Sequence, residues 1–159
     1  MFIDTFNEFG TDVDVSQVSA TYNMTNEIDL GLAGRDVGNG QPVYLVLVCT
    51  GGDDGIITGG TAGTIQFRVV SDAVSPPSTT TASVHLITKQ YVTDDAALNE
   101  IKKGDVFFVG ALPTGANEAY ERYLGVQTIV ATTTTTEGTV TAFLTLDPAG
   151  WKSYADGAN

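Results

Sequence analysis

The sequence predicts an all-β fold: an antiparallel β-sandwich of jelly-roll type with about eight strands, one short helix and an extended N-terminal arm. Threonine, valine and glycine are frequent, and the apolar residues fall in short blocks separated by glycine, proline or paired acidic residues. This punctuation is typical of all-β chains, and helical periodicity is nearly absent. An up-and-down barrel is the alternative architecture.

The size and composition of the chain predict one folded domain. For 159 residues, folding hides about two-thirds of the extended-chain surface, which is enough for one hydrophobic core. With 42% hydrophobic and 16% charged residues, the chain is too apolar to be disordered throughout. We expect an N-terminal arm, residues 1–17, followed by a single β-sandwich domain, residues 18–159.

The strands are predicted from apolar patterning. Residues 43–49 form a continuous apolar run, which is typical of a central strand buried on both faces. In residues 64–71, apolar and polar side chains alternate as in a half-buried strand, and Val70 is the one departure. The predicted strands, in chain order, are residues 18–22, 26–30, 43–49, 64–71, 82–88, 106–112, 120–131 and 138–146.

The connections between these strands are predicted from turn and capping residues. Residues 23–25 are predicted to form a turn between the first two strands. A capping residue at Thr93 or Asp94, followed by good helix formers, predicts the one short helix over residues 93–101. The threonine run 132–136 is predicted to be a hairpin tip, and an edge strand that orders only against a partner is the alternative.

In the strand over residues 82–88, the alternation places Val84 and Leu86 on one face and His85 and Ile87 on the other. A histidine in the middle of such a strand is interpreted as a structural residue. No Gly-x-Ser-x-Gly elbow is present to pair with it in nucleophilic catalysis.

The charge balance argues against several partners. Seven basic and 19 acidic residues leave a net charge of −12, so the chain cannot supply a basic stripe for phosphates. We therefore expect no nucleic-acid partner and no anionic membrane partner. The first basic residue is Arg35 and the longest apolar run is far shorter than the roughly 20 residues of a membrane span, so we expect neither an export signal nor a membrane segment.

The sequence predicts no catalytic residue, no metal site and no cofactor. Cys49 and His85 are the only residues of their types, too few for a structural zinc site or an internal disulfide. Cys49 lies in the most apolar strand, so we expect a buried thiol with a raised pKa. Asp53 and Asp54 are interpreted as a solvated acidic turn rather than a calcium loop. The glycine-rich residues 59–64 lack the lysine and the helix of a phosphate-binding loop.

The N-terminal arm is the main candidate for an interaction site. Its aromatic and aliphatic residues stand among acidic ones, and six acidic residues and no basic one precede Gly34. One interpretation is a first strand folded on the protein's own core. The other is an arm whose aromatic side chains dock on a neighbouring subunit and meet a basic or polar groove there. The candidate interface residues, including two near the C-terminus, are Phe2, Ile3, Phe6, Phe9, Trp151 and Tyr154.

Seven short segments, spread over nearly the whole chain, resemble a known family. The sequence is similar to the capsid cement proteins of tailed bacteriophages, in particular to the jelly-roll cement family first seen on a Bordetella phage head. The segments that carry the resemblance are Phe2-Ile3-Asp4, Asn7-Glu8-Phe9, Ile28-Asp29-Leu30-Gly31, Arg35-Asp36-Val37-Gly38, Gly40-Gln41-Pro42-Val43-Tyr44, Glu121-Arg122-Tyr123-Leu124 and Phe143-Leu144-Thr145-Leu146-Asp147.

The resemblance implies a structural virion protein without enzymatic activity or cofactor. Such a protein binds the outer surface of the assembled capsid, cements neighbouring major capsid protein subunits and stabilises the head against internal DNA pressure. It implies a homodimer, with a homotrimer as the alternative, assembled in the host cytoplasm. A carbohydrate- or receptor-binding module and a glycosidase-like enzyme with two carboxylates in a cleft are the other hypotheses.

Overall fold

A computed structural model describes residues 5–31, 37–38, 40–58, 62–94, 99–115 and 118–148. Within these ranges the chain forms eleven strands and one 3-10 turn over Thr5–Asn7, so the all-β class is confirmed and the number of strands is higher than predicted. The strands are β1 (Glu8–Asp14), β2 (Ala20–Asp29), β3 (Tyr44–Gly51), β4 (Ile57–Thr58), β5 (Thr64–Asp72), β6 (Ser83–Ile87), β7 (Tyr91–Val92), β8 (Val106–Ala111), β9 (Tyr123–Ala131), β10 (Thr135–Glu137) and β11 (Thr139–Thr145).

The strands assemble into two main antiparallel sheets. Sheet A has the order β1-β11-β3-β8. Sheet B has the order β2-β9-β5-β6, and the short strand β7 pairs with β5 next to β6. A separate two-stranded ribbon joins β10 to β4. Most neighbouring strands are far apart in the chain, so both sheets are built from long-range pairings.

The two sheets share one hydrophobic core. In β5, Ile65, Phe67 and Val69 are fully buried, as the predicted alternation requires. The central position predicted for residues 43–49 is also confirmed, because β3 lies between β11 and β8. Further members of the core from both sheets are Phe9, Met24, Leu45, Leu47, Cys49, Leu124, Val126, Val130, Val140 and Ala142.

Val70, the departure from alternation, is buried on the outer face of sheet B because a loop covers that face. Val70 pairs with Gly125 of β9, and Pro77 packs so closely on Gly125 that an added Cβ would lie 3.1 Å from the proline ring. The side chains of Asn23 and Gln127 donate hydrogen bonds to backbone carbonyls of this loop, at 2.9 Å to Pro77 and 3.1 Å to Ser78. The burial of Val70 therefore depends on a loop that is distant in the chain from β9, and the alternation of apolar and polar residues in β5 could not reveal it.

The predicted turn at residues 23–25 is wrong, since β2 runs continuously through it. Met24 points into the core and is 5% exposed, while Thr25 and Asn26 face solvent. The pairing of β2 with β9 shifts register between Asn23 and Glu27, so a bulge replaces the turn. Polar residues are tolerated because β2 is an edge strand with one solvated side.

Residues 95–98 of the short helix predicted over residues 93–101 lie outside the described ranges. The described residues on either side of them form no helix. Thr93 extends the strand structure instead of capping a helix: its N–H donates to Gly63 and its carbonyl accepts from Thr58. The carboxylate of Glu100 accepts from the N–H of Val92 at 2.8 Å. Tertiary hydrogen bonds therefore hold Thr93 and Glu100, the described residues on either side of this gap.

Two further predictions need correction. Val84 and Leu86 do not share a face, because the register of β6 against β5 shifts between them. Val84 is exposed, while Leu86 packs against the core. The threonine run is only partly a turn, since β10 pairs with β4 inside the same chain and needs no partner to do so. Among the described residues, no helix is long and apolar enough to cross a bilayer.

Candidate docking surface

Two aromatic residues of the predicted arm, Phe6 and Phe9, lie within the described residues, and their environments differ. Phe9 is 0% exposed and belongs to the core of this chain. Phe6 is 84% exposed in the 3-10 turn that precedes β1. Of the other candidate interface residues, Phe2, Ile3, Trp151 and Tyr154 lie outside the described residues.

Strand pairing accounts for this difference. Residues 8–14 of the predicted arm form β1, which pairs with β11 at the edge of sheet A, with Glu8 opposite Phe143. Successive side chains of a strand point to opposite faces, so Phe9 enters the space between the sheets. Phe6 precedes the first paired residue and therefore remains on the surface.

An apolar groove opens between the two sheets close to this turn. We call it the end groove, because it lies where the end of β2 and the start of β9 in sheet B meet the end of β11 and the start of β3 in sheet A. Its volume is about 260 Å³, and Leu146 at its border is 57% exposed. The end groove is lined by Asn7, Ile28, Leu30, Val37, Val43, Leu124, Leu144, Thr145 and Leu146.

A broader, more polar hollow adjoins the end groove and shares Asn7 and Ile28 with it. We call this hollow the acidic depression, because three of its lining side chains are carboxylates. It has a volume of about 1000 Å³ and lies between the turn that carries Phe6 and the second half of β2. It is lined by Phe6, Asn7, Glu8, Thr25, Asn26, Glu27, Ile28 and Asp29.

One carboxylate of the acidic depression is paired. Arg122 donates two hydrogen bonds to Asp29, at 2.9 Å from Nε to Oδ1 and 2.8 Å from Nη2 to Oδ2. These bonds, helped by the N–H of Gly31, lower the pKa of Asp29 from 3.8 to about 2. Glu8 and Glu27 accept from the neutral hydroxyls of Thr11 and Ser75, which leaves both charges in place. Among the described residues, these three carboxylates and the guanidinium of Arg122 sum to a net charge of −2.

Six of the seven segments that resemble cement proteins contribute described residues to this end of the molecule, and Phe2-Ile3-Asp4 lies outside the described residues. The Asp29 and Arg122 segments meet through their ion pair and through a 2.8 Å bond from Leu30 N to Arg122 O. Thr145 of β11 pairs with Tyr44 of β3 at the same end. All nine described residues that line the end groove belong to the resembling segments. Spacing in the sequence gave no signal for the groove itself, because its lining comes from six separate segments.

His85, the only histidine, has a partner that the sequence did not reveal. A 2.7 Å hydrogen bond joins its Nε2 to Ser71 Oγ, which also accepts from the N–H of Glu121 at 2.9 Å. The ring stacks on Tyr120 with centroids 4.0 Å apart. Burial lowers the pKa of His85 below 6.5, against the opposite effect of Glu118 and Glu121. Ser71 is 0% exposed, so the pair connects β5, β6 and the start of β9 but offers no nucleophile to a substrate.

The remaining candidates for chemistry have structural environments. Cys49 is buried, and burial raises the pKa of its thiol from 9.0 to about 11, as predicted. Asp53 and Asp54 are exposed, and Glu137 accepts a hydrogen bond from the N–H of Asp53 at 2.9 Å. Within the described ranges, no three His, Cys, Asp or Glu side chains are grouped closely enough to hold a metal ion. Of the glycine-rich residues 59–64, 59–61 lie outside those ranges.

Comparison with known proteins places the chain in a family. No curated protein matches it. A family model does match, over residues 13–144, and this span includes more than four-fifths of the chain and every strand from β2 to β11. The match is to Bbp16, a name that belongs to a Bordetella phage protein. The chain is therefore a member of the Bbp16 family of phage proteins.

Proposed function

We propose that this chain is a capsid cement protein, which binds the outer surface of the assembled phage head and holds neighbouring major capsid protein subunits together. The observation that carries the proposal is the end groove, because the nine described residues that line it all belong to the segments that resemble cement proteins. Membership of the Bbp16 family supports a structural role in a phage particle. Stabilisation of the head against internal DNA pressure follows from the bridging of subunits.

We also infer that the fold is a jelly roll. If β4 and β10 are set aside and β6 and β7 are counted as one, eight main strands remain. In their own chain order they lie as 1-8-3-6 in sheet A and 2-7-4-5 in sheet B. This interleaving is that of two Greek keys wound into a pair of facing sheets. It agrees with the architecture that the resemblance implies.

The surface around Phe6 has the composition of a protein interface. Large aromatic side chains in or beside apolar hollows carry most of the binding energy in protein complexes. Phe6 is exposed next to the end groove, and the polar acidic depression forms a rim beside it. We propose that this end of the molecule meets the capsid. No catalytic step, cofactor, nucleic acid or membrane takes part in this function.

The experiment that tests the proposal uses expanded shells that lack the protein. Purified protein should bind them saturably, at a copy number that is a fixed fraction of the shell protein, and should raise the temperature at which they rupture. Phe6→Ala should weaken binding by about tenfold or more, since a central aromatic anchor is lost. Ile87→Ala, at an exposed apolar position on β6, is the matched control and should bind as wild type does. Saturated shells with unchanged stability would refute the proposal.

The proposed assembly is a homodimer, with a homotrimer as the alternative, on the outer surface of a head assembled in the host cytoplasm. Light scattering of the purified protein measures the number of copies, and labelling of intact virions with an antibody measures surface exposure. A receptor- or glycan-binding module is the competing function. Specific binding to a glycan array, together with no binding to shells, would favour it over the capsid role.

A further inference from the structure

We propose that the end groove receives one apolar side chain from the capsid protein, and that lysine or arginine residues flank this side chain in the partner. This inference rests on the proposed cement function and adds the chemistry of the segment that this protein recognises. In this arrangement the chain offers a socket as well as the exposed Phe6. The apolar lining, the acidic rim and the charge of the chain as a whole carry the inference.

The size and lining of the end groove suit an apolar side chain. Its walls are mainly aliphatic, with Ile28, Leu30 and Leu144 half-buried and Leu124 fully buried at the base. At about 260 Å³ it is smaller than the roughly 300–1,000 Å³ of small-molecule pockets. One or two side chains fill such a volume, and water that leaves an aliphatic wall favours an apolar group in its place.

The negative charge beside the end groove favours basic residues on either side of the apolar side chain in the capsid protein. The acidic depression shares Asn7 and Ile28 with the groove, and its described side chains, counted with Arg122, sum to a net charge of −2. Among the described residues around it, the one basic side chain is Arg122, and its guanidinium is already paired with Asp29. A partner segment that lies across both hollows therefore gains from cationic groups opposite Glu8 and Glu27.

The same charges argue against a second copy of this chain as the occupant. A two-fold interface brings the same patch of both subunits together, so the two acidic depressions would face each other near the axis. Like charges across an interface disfavour association, and each chain already carries a net charge of −12. A basic segment of a different protein has the complementary charge, so we assign the groove to the capsid protein.

The apolar part of the inference is tested at Leu146, which borders the groove and is exposed enough for substitution without loss of the fold. Leu146→Asp should reduce binding to expanded shells by about tenfold or more, because it places a charge where the apolar side chain lies. Leu146→Ala should reduce binding less, in the same direction. Ile87→Asp, at a position of similar exposure on sheet B, should bind as wild type does. All three variants should keep the wild-type melting temperature.

The basic part of the inference is tested by salt dependence. Wild-type binding to shells should weaken as salt rises, and the Glu8→Gln/Glu27→Gln double variant should show a smaller slope. Asp54→Asn, in the exposed turn after β3, is the control and should keep the wild-type slope. Equal slopes for wild type and the double variant would overturn the basic flank.

The possible failures have different meanings. If wild type binds shells and Leu146→Asp binds equally well, the groove is not the socket, while the cement function stands. If Ile87→Asp loses binding to the same extent, the effect is not local to the groove and the inference is again overturned. If wild type does not bind shells, the proposed function fails and this inference fails with it.

Discussion

The two phenylalanines at the start of the chain provide the sharpest test of the described structure, because the sequence treats them alike and the structure does not. Phe9 is completely buried in the shared core, whereas Phe6 is mostly exposed. Truncation of a buried phenylalanine to alanine costs about 3–5 kcal/mol, from lost transfer free energy and the cavity left behind. A surface substitution without such features stays within about 0.5 kcal/mol.

Phe9→Ala should therefore lower the free energy of unfolding by about 3–5 kcal/mol, a large part of the roughly 5–15 kcal/mol of a typical domain. At about 2–4 °C per kcal/mol for a chain of this size, the melting temperature should fall by about 6–20 °C. Phe6→Ala should leave both quantities unchanged within error. Urea unfolding followed by circular dichroism measures the free energy of unfolding, and thermal unfolding followed in the same way measures the melting temperature. An unchanged slope with urea shows that the unfolded reference is the same.

Two results would refute this reasoning. A loss of less than about 1 kcal/mol in Phe9→Ala would mean that Phe9 is not held in the core, and the arm would again be a candidate as a whole. A loss above about 2 kcal/mol in Phe6→Ala would mean that Phe6 packs as a structural residue. Phe9→Leu is the control, since it keeps an apolar side chain at the same position and should cost less than Phe9→Ala.

Three further predictions concern buried polar and titratable groups. The pKa of His85 is lowered in the folded state, so the unfolded chain binds the proton more tightly and stability should fall as the pH drops below 6.5. His85→Gln should reduce this dependence of stability on pH, measured by urea unfolding at several pH values. Cys49, with a pKa of about 11, should react with a thiol reagent at pH 8 only at the rate of unfolding; fast reaction of the native protein would contradict its burial. Gln127 is fully buried and bonds to Arg68, Asn23 and Ser78, so Gln127→Leu should cost about 2–4 kcal/mol in the same urea assay, and a loss below about 1 kcal/mol would contradict these bonds.

Much of the fold was predictable because it depends on local patterns. The continuous apolar run at residues 43–49 predicted a central buried strand, and the alternation in residues 64–71 predicted the inward face of β5. The burial of Cys49 followed from its place in that apolar run. These predictions hold because side chains of a strand alternate between faces with a period of two, whatever the strand pairs with.

The errors all arose where distant segments changed a local preference. The turn predicted at residues 23–25 became a bulge within β2, because β9 pairs with β2 on both sides of it, at residues 20–23 and 27–29. Thr93 became an extended residue because Gly63 and Thr58 bond its backbone. The bulge in β6 moved Val84 and Leu86 to different faces. In each case a tertiary hydrogen bond or a shifted register outweighed a weak local propensity.

The candidate docking surface shows most clearly what the sequence determined and what only the tertiary structure decided. The sequence alone determined the all-β class, the acidic charge and the presence of aromatic residues near the N-terminus, since composition and periodicity are properties of the chain itself. Only the tertiary structure decided that Phe9 is buried and Phe6 is exposed, that six separate segments line the end groove, and that three carboxylates gather beside it. The physical reason is that periodicity states which side chains favour burial, whereas strand pairing and register decide which of them meet.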